Sequence, residues 1–508
     1  MRGATTRTWG APLAAVAGLA FAACAPAETT PATAEEPEPV PAATSGSAVS
    51  DLDRPLTEQV AAMERGAFTS GALVAGYLAR IQARDTGAGG IHAVLLTDPA
   101  ATTRAVELDR ARGRGALLQG AAILVKDNID TQGLATTAGS LALARNVPAR
   151  DAFVVRKLRE AHALVLGKTN LSEWANFRST SSTSGWSSVG GQTYMGRNPV
   201  FDPCGSSSGS GAAMAAGLAS ATLGTETDGS IVCPASVNGV VGFKPTVGLV
   251  SRAGVVPISA SQDTVGPIAR TVRDAARVLS AIAGRDPDDP ATAAIPAGTS
   301  LDFEAPLRSA TLAGKRLGVV VSFGFGTEGN VFDTETARMQ AAGATIVNVT
   351  MDVDSWGDDE LTIMLHEFKA GVGDYLAAHP VPGQPRTLAE LIAFDDEHAA
   401  TVMPYFGQEL FLQAQATAGL TAPAYLAAKT HARTASKGAI EATLARNHLD
   451  ALIAPTMDPA WRIDYGSGDP PGLHSASSPA AVAGCPHLTV PMGTVDGLPC
   501  GCQYPSRS

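Results

Sequence analysis

The sequence predicts an α/β protein, a sheet with helices on both faces, and three observations carry that prediction. Short apolar runs of buried-strand length recur along the chain: "HAVLL", "AAILV", "ALVLG", "SATLG", "RLGVVV", "ATIVNV" and "ALIA". Helical patterns separate many of them, the order expected when helices cover both faces of a sheet. The 53 glycines, set against 5% aromatic residues, point to tight turns and close packing of small side chains. In chain order, the folded region opens near Leu52 with two helical patterns. In the second, Leu73, Val74, Tyr77, Leu78 and Ile81 recur at helical spacing and make one apolar stripe. The strand-like runs follow. From Val353 to Asn447 the pattern is mostly helical, an insertion or lid over the sheet's edge. No internal repeat interrupts this order.

A chain of 508 residues with 45% hydrophobic residues can bury a large core. Its 37 Lys and Arg against 48 Asp and Glu give a net charge of −11, and no strongly basic run occurs, which argues against nucleic acid as a partner. The first 24 residues read as an export signal. Arg2 and Arg7 form the positive region, "PLAAVAGLAFAA" forms an apolar region too short to span a bilayer, and "FAAC" resembles a lipobox. Cleavage before Cys24 would leave that thiol to carry a lipid; ordinary signal-peptidase cleavage is the alternative. Either outcome sends the chain to the periplasm or cell envelope. Residues 25–50, rich in Pro, Ala and Glu without Lys or Arg, read as a disordered linker, and the enzyme domain as 51–508. Beyond Cys24 the cysteines are Cys204, Cys233, Cys485, Cys500 and Cys502, an odd number without zinc-site spacing. A Cys204–Cys233 disulfide is possible in an oxidising compartment, but two buried thiols are the preferred expectation.

The chemistry concentrates around "PCGSSSGSG". Three serines between glycines usually make a flexible linker. Here an alanine-rich helical run follows, then the strand "ATLG", then the turn "TETDGSI". Gly229 beside Ser230 lets successive backbone N–H groups point one way, the geometry of an oxyanion hole. Upstream, Lys126 ends the apolar strand of "AAILVKDNID". A lysine there ordinarily leads out to solvent. Buried beside serines it loses its proton more easily and serves as a base, as in serine–lysine hydrolases.

Three segments together resemble the amidase signature family: "ILVKDNIDTQGLATTAGS", "CGSSSGSGAAMAAGLASATLGTETDGSI" and "CPASVNGVVGFKPTVGLVSRAGVVP". The resemblance runs from about Leu52 to Gly501, with its core at about 120–284 and the helical insertion at about 353–447. It implies a large mixed, mostly parallel twisted sheet flanked by helices. It also implies that Ser230 is the nucleophile, Ser206 the bridging serine and Lys126 the general base, with a cis peptide between Gly205 and Ser206. The family spacing of 24 residues separates Ser206 from Ser230. The backbone amides of Thr227, Asp228, Gly229 and Ser230 are then the oxyanion donors, and Gly205 and Ser207 support the site. No cofactor or metal is implied.

Within the family, "KTNLSEWANFRS", "GGQT" with "RNP", "GTETDGSIVCPA" and "PISASQDTVGPIAR" resemble bacterial peptide amidases, which deamidate C-terminal peptide amides. Asp228, where many relatives have glycine, either orients a substrate amide or amine or caps its own turn. A broad aliphatic or aryl amidase is the alternative within the family. Two rivals lie outside it. "GSSSG" matches the GxSxG esterase elbow with Ser207 as nucleophile and His474 or His487 as partner, but "NPVFDPC" is no strand to precede such an elbow. "LGVVVSFGFGTEG" places Gly324, Gly326 and Gly329 after a strand, with Asp352 late for a ribose contact; its helix reads as short and polar, so a surface loop fits better than a dinucleotide-binding domain. No lysine has a serine three places before it, which removes the penicillin-binding pattern. The C-terminus "CGCQYPSRS" reads as a polar, shortened end where relatives continue with an apolar strand and a long helix.

Overall fold

Burial on both faces makes a strand read as an unbroken apolar run. Those runs form the frame of the computed structural model, which describes residues 50–111 and 115–505. The predicted export signal with Cys24, and the linker up to residue 49, lie outside the described residues. The strands are β1 (Val94–Thr97), β2 (Ala122–Lys126), β3 (Leu164–Thr169), β4 (Trp186–Ser187), β5 (Gly191–Gln192), β6 (Ala221–Glu226), β7 (Val241–Lys244), β8 (Thr264–Ala269), β9 (Arg316–Val320), β10 (Thr345–Val349), β11 (Ala451–Pro455), β12 (His487–Val495) and β13 (Leu498–Pro505). Eleven of them form one mixed sheet in the order β1-β3-β2-β6-β8-β7-β12-β13-β11-β9-β10, while β4 and β5 pair separately.

Parallel pairing falls in two blocks, β3-β2-β6 and β11-β9-β10. The strands between them run antiparallel. Alternate residues of β2 serve opposite cores, as the twofold period of a strand requires. Ile123 and Val125 pack with Val154, Val155, Val278 and Ile282 of the helices Phe153–Glu160 and Val272–Ile282. Ala122 and Leu124 pack on the other face with the stripe Leu73, Val74, Tyr77 and Ile81 of the helix Ser70–Arg84. Thr69 caps that helix, its hydroxyl accepting from the Ala72 amide at 3.0 Å.

The region from Gly357 to Arg446 is a set of helices whose longest members are Gly357–Ala378 and Pro423–Arg446. Its aromatic core reaches back to the loop Trp174–Phe177. Phe368 lies 5.1 Å from Phe177 and 5.2 Å from Phe411, ring centre to ring centre. No helix among the described residues is long and apolar enough to cross a membrane.

The C-terminal segment that reads as polar forms β13, a strand in the middle of the sheet that is buried along most of its length. Cys500 and Cys502 pack as small apolar residues against Leu317, Phe332 and Met492.

Candidate active site

β2 and β6 run parallel in register, Val125 opposite Leu223, so their carboxyl ends emerge side by side. Open α/β sheets bind ligands beyond these ends. Lys126, the last residue of β2, is fully buried there. Its Nζ donates to Ser206 Oγ at 2.7 Å, Thr225 Oγ1 at 2.8 Å and the Thr225 carbonyl at 3.3 Å. Burial pushes the ammonium down to about 7, against the opposing pull of the Asp263 and Glu226 carboxylates. The lysine therefore does not lead out to solvent.

Ser206 follows a cis peptide bond at Gly205–Ser206, as the family resemblance implied. At Gly205 a Cβ would lie 2.6 Å from Asn176 Oδ1 and 2.8 Å from Ser184 Oγ, so the loop admits only glycine there. Ser207 opens the helix Ser208–Ala215. Its buried hydroxyl donates to the Thr225 carbonyl at 3.0 Å and accepts from the Thr225 amide at 3.2 Å. Its own amide donates to the Ser230 carbonyl at 3.1 Å, tying the serine loop to the second turn.

That second turn, Thr227–Ser230, leaves β6 and bends at Gly229, whose φ of +77° is the left-handed conformation glycine tolerates. Glu226 anchors it by accepting from the amides of Ile231 at 2.7 Å and Val232 at 3.0 Å. Thr227 Oγ1 donates to Asp263 Oδ1 at 2.6 Å.

Ser230, Thr227, Asp228 and Gly229 line a cavity of about 400 Å³, together with apolar residues such as Ile258, Met364, Trp461 and Leu473. Ser477, and Glu360 of the helical region, lie near enough to the Asp228 carboxyl to act on its proton. Burial pushes that carboxyl up to about 6. Burial, then the Asp228 charge, holds Glu360 well above the carboxylate range.

Several neighbours were not legible in the sequence: Thr225, Asp263, Glu360, and Asn128, whose Nδ2 donates to Thr225 Oγ1 at 3.0 Å. Asn128 and Asp263 sit in the "KDNID" and "SASQDT" segments, yet nothing local marks them as neighbours of the lysine. A correction concerns Cys204 and Cys233. They are not two thiols but a disulfide, with Cα atoms 6.0 Å apart, in the cavity wall.

The features of the rival readings are used elsewhere. Ser207 is buried and hydrogen-bonded to Thr225, unlike an exposed elbow serine. His487 is buried on Gln503, and the His474 ring packs on Phe323 at 6.0 Å. The glycines of 324–329 do precede a helix, Gly329–Ala341, longer than the sequence suggested. At its start, Glu328 accepts from the Gly326 amide at 2.8 Å, and a Cβ at Gly326 would meet Asp458 and Glu328. Two carboxylates thus crowd this turn, an environment that repels a phosphate.

Comparison with known proteins agrees with this geometry. The family profile described as Amidase matches residues 72–507. The chain belongs to the amidase signature family. This amidase is 41% identical over 435 residues to a probable amidase of Arabidopsis thaliana, covering 82% of the chain and 79% of the relative. Among solved structures it resembles the native peptide amidase from Stenotrophomonas maltophilia, with 48% identity, a TM-score of 0.85, and coverage of 89% and 93% of the two chains. A peptide amidase bound to the competitive inhibitor chymostatin is 49% identical, with a TM-score of 0.86 and coverage of 89% and 94%. The amidase is a hydrolase of amide bonds on the large mixed, helix-flanked sheet that the sequence predicted.

Proposed function

We propose that this amidase is a Ser–cisSer–Lys hydrolase that deamidates C-terminal peptide amides through an acyl-enzyme. One observation carries the reading: a fully buried lysine amine, pushed down to about 7, lies 2.7 Å from the Ser206 hydroxyl. At neutral pH a large fraction of such an amine is uncharged, so Ser206 donates to it and it acts as base. Lys126 takes the Ser206 proton while Ser206 takes the Ser230 proton, and Ser230 Oγ attacks the carboxamide carbon. The amides of Thr227, Asp228, Gly229 and Ser230 are the proposed donors to the oxyanion. Collapse breaks the C–N bond, the proton returns through Ser206 to the nitrogen, and ammonia leaves. Water then cleaves the Ser230 ester by the same proton path.

Asp228 is proposed to receive the N–H groups of the substrate amide. Its place in the cavity wall beside Ser230 supports this. Likeness to peptide amidases over nearly the full length supports the substrate class. The expected partners are short amidated peptides, with no cofactor.

The test is turnover of C-terminally amidated di- and tripeptides against simple aliphatic amides. We expect preference for the peptides, near-total loss in Ser230→Ala, and large loss in Ser206→Ala and Lys126→Ala. Full activity of Ser230→Ala would end the mechanism, and preference for simple amides would replace the substrate by that of a broad amidase. The reading extends to location: export with a lipid on Cys24, supported by the first 24 residues and by a disulfide suited to an oxidising compartment. Mass analysis of the processed N-terminus, with Cys24→Ala as control, checks it; an uncleaved N-terminus defeats it.

A further inference from the structure

We propose that the Cys204–Cys233 disulfide is a positioning element for amide hydrolysis, clamping the Ser206 loop onto the Ser230 turn so that turnover depends on the oxidised pair. The inference rests on the mechanism above and adds a redox dependence to it.

The bond joins the two segments whose relative placement the proton path needs. Cys204 stands two residues before Ser206, and Cys233 three residues after Ser230, in the first turn of the helix Val232–Asn238. Otherwise the loop is held to the turn and its helix by hydrogen bonds. Ser207 N donates to the Ser230 carbonyl at 3.1 Å, and Asn238 Nδ2 donates to the Pro203 carbonyl at 3.1 Å. Cys204 itself has a φ of +55°, a left-handed backbone that a residue with a Cβ avoids unless its surroundings hold it. Two restraints do so here: the disulfide, and Asp202 Oδ1 accepting from the Cys204 amide at 2.7 Å. Freed of the first, Cys204 can relax toward ordinary φ, and the chain two residues on, which carries the Ser206 hydroxyl, moves with it.

Both cysteines face the cavity, at 7% and 6% exposure, so a small reductant reaches them by the route a substrate takes. A dithiol reacts by thiolate attack on one sulfur, giving a mixed disulfide that its second thiol displaces. The reagent is oxidised to its cyclic disulfide, and Cys204 and Cys233 gain two electrons and two protons. Cys485, Cys500 and Cys502 are buried in other parts of the core. Burial pushes the Cys500 and Cys502 thiols up to about 11 and about 12, which suppresses their exchange.

The experiment assays the full chain on an amidated dipeptide before and after dithiothreitol, with the redox state of Cys204 and Cys233 read by alkylation and peptide mass. Reduction should lower kcat about 10–100-fold, the scale of an ångström of misplacement, and leave KM within about twofold. Far-UV circular dichroism should not change, and reoxidation should restore kcat. Cys204→Ser/Cys233→Ser should match the reduced enzyme and ignore dithiothreitol. If that variant does not fold, reversible reduction of the wild type decides alone. An unchanged kcat in a verified reduced enzyme overturns the proposal, as does a loss of activity that only tracks loss of folded signal. Absence of amide turnover in the oxidised wild type would instead strike at the mechanism itself.

Discussion

Three buried lysines end or line strands of this sheet, and Lys126, the proposed base, is the one of the three that meets a serine hydroxyl. Lys168 is salt-bridged to Asp127 at 3.2 Å and donates to the Ile129 carbonyl at 2.7 Å. Lys244 donates to the Cys485 carbonyl at 2.8 Å. Lys126 meets two hydroxyls and one carbonyl, and among the described residues it makes no salt bridge. An amine without an adjacent carboxylate gives up its proton at lower cost. The reactive form is the uncharged amine, whose fraction rises as pH rises through about 7. On peptide amides, kcat/KM should therefore climb through that pH to a plateau above it; a profile flat from pH 5 to 9 would exclude Lys126 as the base. Lys126→Arg keeps the cation and lacks a base at any accessible pH, so it should lose about 10²–10⁴-fold with no alkaline recovery. Asp263 raises the affinity of Lys126 for its proton, so Asp263→Asn should move the acid limb to lower pH. The lysine and the serines were legible because local motifs and their spacing mark them. Asp263 was not, because only tertiary packing brings it near.

At the scale of elements, the helix Gly357–Ala378 is pinned to the cavity wall by Glu367. This carboxylate accepts from Ser259 Oγ at 2.6 Å, Ser261 N at 2.8 Å, Ser261 Oγ at 2.6 Å, Tyr425 OH at 2.6 Å and Lys429 Nζ at 2.9 Å. Burial pushes its carboxyl up, but these hydrogen bonds outweigh burial and hold it below the ordinary range. A depressed carboxyl stabilises above its unfolded pKa and loses that contribution as pH falls through the folded value. Acid should thus loosen this helix once pH falls below the ordinary glutamate range. Glu367→Ala leaves five donors short of a partner, and a cost of about 2–4 kcal/mol is expected. Hydrogen exchange should rise in both long helices and at 258–262. Because Ile258 and Met364 line the cavity, KM for peptide amides should rise while kcat changes little. Unchanged exchange in both helices would remove Glu367 as the pin. Elements were unevenly legible in the sequence. Strands buried on both faces announce themselves as apolar runs, whereas β8 carries Gly266 and Pro267, and β12 carries Pro491 beside a break in register, so neither reads as a strand.

For the molecule as a whole, β13 decides whether there is one sheet or two. It pairs with β12 from His487–Pro505 to Val495–Leu498, and with β11 at Ala454–Gln503 and Pro455–Cys502. In the strand order it alone joins β1 through β12 to the block β11-β9-β10. Its apparent polarity misleads because Gln503 is buried and satisfied, donating to the Ala476 carbonyl at 2.6 Å and meeting His487. The strand also touches the chemistry. The Gly501 amide donates to Ser236 Oγ at 2.9 Å, on the helix that begins just after Ser230. A Cβ at Gly501 would stand 2.8 Å from that same Oγ and collide with Thr489 Oγ1. Gly501→Val should therefore push the helix that follows Ser230 out of place. It should cost about 1–3 kcal/mol in urea unfolding and lower kcat in the same variant, a joint effect that a change confined to a remote strand would not produce. Stopping the chain at Gly497 is the harsher test. It removes the strand between β12 and β11, so circular dichroism and tryptophan fluorescence should stop reporting one coincident unfolding transition. A truncated chain that unfolds in a single coincident step with wild-type midpoint would show that the two blocks cohere without their clasp.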